Sequence, residues 1–452
     1  MTTDTIFALS SGAGVAGVAV VRLSGPRAGT ALEALTPGKT RPEPRKAALR
    51  RLTDPATGAR LDEALVLYFK GPASFTGEDV VELHLHGGRA VVAGVIEALG
   101  AIEGLRPAEP GEFSRRAFEH GKLDLTEAEG LNDLIHAQTA AQREVALRQM
   151  DGALRTLYEG WRTALVSHLA HLEADIDFPD EDLPEGVAGA VRPEIARLRQ
   201  SIEAHLADGR RGRALRDGYR IVILGEPNAG KSTLMNALAK SDVAIVSDEA
   251  GTTRDVLEVQ LDLGGYPVRL IDTAGLRDEG AGAVEAEGIR RARARAQEAD
   301  LRLVLVRADD WPQIPKGVTE WLGEGAFLVV TQADRTAMFH VEQKDVPADL
   351  VGFAAVSAKT EHGLDDLFAR LGDHVMDAMA PREAPSLTRL RHAQALSETV
   401  EHLMRFEANA GADAVLAAED VRMAARALGR ITGRVGVEDL LDVIFSDFCI
   451  GK

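Results

Sequence analysis

The stretch RIVILGEPNAGKSTLMNAL has the residue types and spacing to hold a phosphate. It fits G-x-x-x-x-G-K-[ST] at Gly225, Gly230, Lys231 and Ser232. Glycines let such a loop turn its backbone N–H groups inward as a concave ring, and the helix that follows adds the positive end of its dipole. Asn228, Ala229 and Thr233 complete the loop and the helix start. Lys231 is placed to reach the β- and γ-phosphates, and the Ser232 hydroxyl to ligate Mg2+. Four further segments follow in order. AGTTRD offers Thr252 and Thr253, which could close over the γ-phosphate and Mg2+. VRLIDTAG reads as a buried strand ending in Asp272, a carboxylate for the metal shell, followed by Thr273, Ala274 and Gly275, the last placed to donate its N–H to the γ-phosphate. FLVVTQAD reads as a strand ending in Asp334, and FAAVSAK as one ending in Ser357, Ala358 and Lys359. Five loops at successive strand ends place a nucleotide at the carboxyl edge of an open sheet.

Together these segments resemble the five motifs of the GTPase superfamily. The base-reading motif of that superfamily is usually Asn-Lys-x-Asp; here it is Thr331-Gln332-Ala333-Asp334. The two oxygens of the aspartate accept from guanine N1–H and the 2-amino group, whereas adenine has an acceptor at N1 and no 2-amino group. Asp334 is kept, so guanine preference is expected. The tethering Asn is a shorter Thr, and the Lys stem that covers the base is an uncharged Gln. Weaker nucleotide affinity with unchanged specificity is the expectation. Leu276 stands directly after DTAG, where a Ras-like Gln would orient the attacking water, so another group must position water and neutralise developing charge.

The elements around these motifs change character along the chain. Residues 1–119 alternate short apolar runs with turns: GVAVVRL, EALVLYF and DVVELHLH read as strands and AVVAGVIEALG as a helix, an α+β pattern. From 120 to 215 the period is helical, with Thr126 and Glu129 matching a capping box ahead of the apolar stripe Leu131, Leu134 and Ile135. PDEDLPEG interrupts it, and ADGRRGRALRDG reads as a basic linker. From 216 to 376 strands and helices alternate as in a parallel sheet. After APREAPS, residues 377–452 are helical again. The expected fold is therefore multidomain: an α+β N-terminal domain, a helical middle domain in two parts, and an α/β phosphate-loop domain inserted between them.

Composition narrows the function. A chain of 452 residues exceeds one core. A formal charge of −18 argues against nucleic acid gripped over the whole surface, and 4% aromatics argue against broad base-stacking platforms. One cysteine excludes an internal disulfide framework and fits a reducing compartment. The N-terminus lacks the basic region of a secretory signal, and no apolar run approaches the ~18 residues that span a membrane. A cytoplasmic location without membrane association is expected.

GEPNAGKST, AIVSDEAGTTRD, DTAGLR, FTGEDVVELHLHGG, PGEFSRRAFEHGKLDLTEAEG and the terminal CIGK closely resemble the tRNA-modifying GTPase family MnmE (TrmE), from one end of the chain to the other. The resemblance implies a Ras-like GTPase domain that is potassium-dependent and hydrolyses GTP when two such domains pair. It implies K+ ligation by Asn228 and by main-chain oxygens of Ser247, Glu249 and Thr252. It also implies Mg2+ ligation by Ser232 and Thr253, and water orientation by Glu285. Read from the residues alone, Asn228 offers a neutral oxygen suited to a hard cation, or only shapes the loop. Glu285 also has a lesser reading, as a solvated helix-face carboxylate. The resemblance further implies an N-terminal domain that binds 5-formyl- or 5,10-methylene-tetrahydrofolate through Arg22, Glu82, Lys122 and Lys452. It implies a homodimer joined through those domains, and an FAD-binding partner, MnmG, in a heterotetramer-type complex. Together they would install an aminomethyl or carboxymethylaminomethyl group on C5 of the wobble uridine of tRNA.

Three features stay open. His84 and His86 share a strand face at a spacing that could hold a metal or simply lead a polar turn into GG. IRRARARAQEAD reads as a solvated basic helix, or as a contact for RNA or a partner domain. Cys449 in the tail reads as a nucleophile toward uridine or a folate intermediate, or as structural; CIGK ends in Lys after an acidic stretch and fails as a prenylation signal. The rival functions are an RNA-binding ribosome-assembly GTPase switch and a membrane-associated regulatory GTPase. Folate binding separates the first reading from both.

Overall fold

The computed structural model describes residues 4–177, 187–245, 258–272, 290, 293–335, 346–380, 382, 384–409, 413–436, 438–446 and 448–451. The chain forms two compact units. One comprises 1–132, 149–169 and 422–452, and the other 133–148 and 170–421.

In the first unit six strands, β1 (Thr5–Leu9), β2 (Ala16–Ser24), β3 (Ala48–Thr53), β4 (Arg60–Phe69), β5 (Val80–Gly87) and β6 (Leu105–Pro107), form one sheet in the order β3-β4-β5-β2-β1-β6. Neighbours are antiparallel except β1 and β6. The three strands expected from alternation lie in β2, β4 and β5. Alternation works because successive side chains point to opposite faces. Val21, Leu23, Val66, Leu83 and Leu85 point to the face covered by the helices Ala28–Leu35 and Arg89–Gly100, where Leu32, Val95 and Leu99 complete the core. Arg22, Glu82 and His84 point the other way.

The helix Leu125–His136 starts two residues earlier than the expected capping box implies. Asp124, not Thr126, is the cap: its Oδ1 accepts from Glu127 N at 2.8 Å, and Glu127 Oε2 accepts from Asp124 N at 2.8 Å. Thr126 and Glu129 match the sequence template but are buried inside the helix. The long helical period also divides, into helices Leu125–His136, Ala140–Met150 and Ala153–Asp177. Gly152, at φ 84°, turns the chain between the last two.

In the second unit β7 (Tyr219–Gly225), β8 (Glu258–Leu263), β9 (Tyr266–Asp272), β10 (Leu301–Arg307), β11 (Ala326–Thr331) and β12 (Gly352–Ala355) form a sheet in the order β12-β11-β10-β7-β9-β8. All pairs are parallel except β8 with β9. Ile221, Val222, Ile223 and Leu224 are all buried, because helices and loops cover both faces of a parallel sheet. The chain leaves β7 toward β9 on one side and later returns as β10 on the other. That reversal opens a crevice at the carboxyl ends of the strands. Two strands are shorter than expected. β11 stops at Thr331, leaving Asp334 in the single turn Ala333–Arg335, and β12 stops at Ala355, leaving Ser357 in the loop beyond it. The expected multidomain class holds, with an α+β sheet, helical segments and a mostly parallel α/β sheet. No helix among the described residues is long and apolar enough to cross a membrane.

Candidate functional site

The phosphate loop leaves β7 at Gly225 and enters the helix Lys231–Ala239 through Gly230, whose φ of 89° places the helix cap in the left-handed region. A Cβ on Gly225 would lie 2.8 Å from the Leu305 carbonyl oxygen, so the loop can start here only with glycine. Asn228 is itself left-handed, at φ 63°. Lys231 Nζ donates to the carbonyls of Gly225 and Glu226, each at 2.8 Å, which folds the ammonium back over the loop. Ser232 Oγ lies 3.4 Å from Asp272 Oδ2 at the end of β9. A hydroxyl and a buried carboxylate meeting at the first turn of the helix form a donor set of hard oxygens suited to Mg2+.

The segments Thr331–Asp334 and Ser357–Lys359 converge beside it. Thr331 Oγ1 donates to the Ala229 carbonyl at 2.7 Å, with the Val306 carbonyl at 3.3 Å. Thr331, though shorter than the usual Asn, therefore ties the strand end to the phosphate loop. The strand end approaches the loop closely enough for a hydroxyl to reach. Ser357 Oγ donates to Asp334 Oδ1 at 2.7 Å, and the Thr360 N–H donates to Ser357 Oγ at 3.2 Å. The Ser357 bond, with the nearby charges of Lys359 and Arg335, holds the Asp334 carboxyl below the usual aspartate range. A cavity of about 330 Å³ is lined by Gly230, Thr233, Gln332, Asp334, Ala358 and Lys359, among others.

In the first unit Arg22 and Glu82 sit opposite each other on β2 and β5. Arg22 Nη2 donates to Glu82 Oε1 at 2.9 Å and Nε to the same oxygen at 3.1 Å. Oε2 faces His84 Nε2 at 3.5 Å. The Arg22 guanidinium lies 5.7 Å from the Phe75 ring and 5.8 Å from the Phe113 ring. Phe75 and Phe113 pack in an apolar cluster with Ile6, Ala8 and Ala108, and Glu112, next to Phe113 in the chain, belongs to an ion network. Arg116 bonds Glu78, Glu112 and Asp4, Arg106 bonds Glu112 on both oxygens, and Ser24 Oγ donates to Glu78 at 2.7 Å. The chain end docks here too. Ser10 Oγ donates to the Gly451 carbonyl at 2.9 Å, Arg22 Nη1 lies 3.5 Å from the same oxygen, and Gly111 N donates to the Cys449 carbonyl at 3.4 Å. The Cys449 thiol is exposed. Lys122 is exposed, and its stem runs beside Gly77, two residues from Phe75. A carboxylate with one oxygen facing an imidazole, and a guanidinium near two aromatic rings, suit a flat heterocycle with polar edges.

The structure thus brings together Asn228, Ala229, Lys231, Ser232, Asp272, Thr331, Gln332, Asp334 and Ser357 in one crevice, and Arg22 with Glu82 in another. Ser247, Glu249, Thr252, Thr253, Thr273, Ala274, Gly275, Glu285 and Lys452 lie outside the described residues. His84 and His86 do not share a partner, since His86 Nδ1 meets Asp62 at 2.7 Å. Phe75, Phe113 and Ser10 were not anticipated. An apolar ring or a serine at the edge of a strand or loop carries no signal by its type.

Residues 125–449 match the model of the MnmE helical domain, and residues 5–122 that of the GTP-binding protein TrmE N-terminus. The chain is 57% identical to a tRNA modification GTPase MnmE of Parvibaculum lavamentivorans, over 99% of this chain and 100% of that protein. It is 54% identical to one from Paramagnetospirillum magneticum, with both chains fully covered. A mitochondrial 5-taurinomethyluridine-tRNA synthase subunit of Danio rerio is 47% identical over 99% of this chain and 93% of its own length.

Proposed function

We infer the function from a plain premise: the chain belongs to the MnmE family of tRNA-modification GTPases. It is a GTP hydrolase that acts in tRNA modification. The observation that carries this reading is similarity along the whole chain to proteins of that activity, at 57% identity for one of them.

Within that frame we propose how the residues act. Lys231 leaves the Gly225 and Glu226 carbonyls for the β- and γ-phosphates, and Ser232 with Thr253 ligates Mg2+. Asn228, with the main chain of Ser247, Glu249 and Thr252, holds K+, which when bound supplies the charge an arginine finger supplies elsewhere. Thr273, Ala274 and Gly275 follow the metal-side carboxylate Asp272 and face the γ-phosphate. Glu285 orients the attacking water. Asp334 reads guanine N1–H and the 2-amino group, Ser357 keeps that carboxylate in place, and Thr331, Gln332, Ala358 and Lys359 close the base cavity.

Arg22, Glu82, Lys122 and Lys452 hold a tetrahydrofolate, which when bound carries the one-carbon unit for uridine C5. Glu82 accepts from the donor edge of the pterin, and the lysines meet the acidic tail. Cys449, beside that site, is the nucleophile candidate. The Danio relative, named for a 5-substituted uridine, is consistent with the same ring position here. The chain works as a homodimer with the FAD-binding protein MnmG, in the cytoplasm. An apolar stripe on the open sheet face supports the pairing. Leu49 faces Leu65, Leu65 faces His84 and His84 faces Val20, with Leu49 62% and Leu65 41% exposed. We assign 1–119 to folate binding and dimerisation, 120–215 and 377–452 to the helical domain, and 216–376 to the GTPase domain.

The test is nucleoside analysis of bulk tRNA from cells lacking the gene and carrying the wild-type, Lys231→Ala or Glu82→Ala chain. Only the wild type is expected to restore a 5-substituted wobble uridine. Full restoration by both variants would exclude the roles proposed for Lys231 and Glu82 in the modification.

A further inference from the structure

We propose that Gln332 and Arg335 form a clip that joins the base-reading loop to the phosphate loop and stands in for the lysine this motif usually carries. The inference rests on the nucleotide reading above and assigns a role to Arg335, which no motif singled out.

Gln332 Nε2 donates to the Asn228 carbonyl at 3.1 Å. Both residues are non-glycine and left-handed, at φ 59° and 63°, so two constrained turns meet across the crevice. A lysine at position 332 would have donors only. A glutamine has a donor end and an acceptor end, and an unguided carboxamide can present either one to a carbonyl. Arg335 settles the orientation. Its Nη1 donates to Gln332 Oε1 at 2.8 Å, and a guanidinium, being a pure donor, can bind only the oxygen end. The NH2 end is thereby turned to Asn228. Asp309, in the turn after β10, holds Arg335 from the other side at 3.1 Å. Arg335 also lines the 330 Å³ cavity beside Asp334 and Lys359. The positive charge missing at 332 is thus returned three residues later. The clip ends on Asn228, the residue assigned to K+, so the occupancy of the base cavity and the shape of the cation loop are mechanically joined.

Arg335 acts through Gln332 and is a positioning residue. The test is the dissociation rate of a fluorescent GDP analogue from the full-length chain, by stopped flow. The variants are Gln332→Ala, Arg335→Ala, the double alanine variant, and Gln332→Lys alone and combined with Arg335→Ala. Each single alanine variant is expected to speed dissociation about tenfold. The double alanine variant is expected to be no faster than either single one, because the two residues form one chain of contacts. Gln332→Lys is expected to restore slow dissociation in the Arg335→Ala background, while thermal unfolding of the nucleotide-free protein stays unchanged throughout. Arg335→Ala within twofold of wild type, multiplying effects in the double variant, or no rescue by lysine would overturn the clip. A wild-type chain that binds no GDP at all would instead overturn the nucleotide reading beneath it.

Discussion

The Thr331 hydroxyl donates to the Ala229 carbonyl at 2.7 Å, although the two residues are 102 positions apart in the chain. This buried bond joins the end of β11 to the loop that follows β7. The segment that carries Asp334 is thereby tied directly to the phosphate loop. Thr331→Val keeps the shape and removes the donor. Leaving the buried Ala229 carbonyl without this partner costs about 1–3 kcal/mol, so GDP affinity should fall roughly tenfold by calorimetry. Unchanged affinity would show the tether to be idle.

Asp334 accepts from Ser357 through Oδ1 and lines the cavity. Asp334→Asn exchanges one acceptor for a donor. Xanthine carries an oxygen where guanine carries the 2-amino group, so the variant should lose GTP and gain XTP in competition binding. The depressed carboxyl of Asp334 gives the pH sign as well. Guanine recognition is present above the ordinary aspartate range and is lost only as pH falls through the lowered value, which a binding titration between pH 7 and 3 would follow.

In the first unit the Arg116 side chain is 2% exposed and bonds Glu78, Glu112 and Asp4. Removing one partner of a buried network leaves the other charges uncompensated, at about 3–5 kcal/mol. Arg116→Ala should therefore lower the first thermal transition and weaken folate binding together, because Glu112, bonded to Arg116, directly precedes Phe113 in the chain. Burial pushes the Glu112 carboxyl up, but the guanidinium bonds from Arg106 and Arg116 outweigh it and hold the folded value below normal. A depressed folded value stabilises above the unfolded pKa of about 4.3 and is lost as pH falls through the folded one. Acid unfolding of the wild type should steepen below that point, and the slope should shrink in the variant.

Gly451 sits at φ 98°, and a Cβ there would lie 2.3 Å from the Leu9 carbonyl oxygen. Gly451→Ala must lift the tail from β1. Hydrogen exchange at 449–451 should rise and the affinity for 5-formyl-tetrahydrofolate should drop. Equal affinity in both proteins would separate the tail from that site.

The phosphate loop was legible because its chemistry is contiguous: eight residues carry the glycines, the ammonium and the hydroxyl. The strands β2, β4 and β5 were legible because one face is apolar and one polar. The cap of the helix Leu125–His136 was misplaced because Thr126-Glu129 and Asp124-Glu127 both fit the template. The fully buried Leu125 places the helix start one residue after Asp124, which the template does not weigh. Thr331 was read by size alone, and size says nothing of how near Ala229 comes. The rings beside Arg22 come from positions 75 and 113, and Ser10 meets Gly451 across 441 positions. Such contacts are set by tertiary packing and leave no periodic trace.

The most direct test of the account is steady-state GTP hydrolysis by the full chain in KCl and in NaCl at equal ionic strength, with Asn228→Ala and Lys231→Ala alongside. The account predicts strong stimulation by potassium, loss of that stimulation in Asn228→Ala, and loss of hydrolysis in Lys231→Ala. Equal rates in the two salts, or potassium stimulation that survives Asn228→Ala, would contradict it.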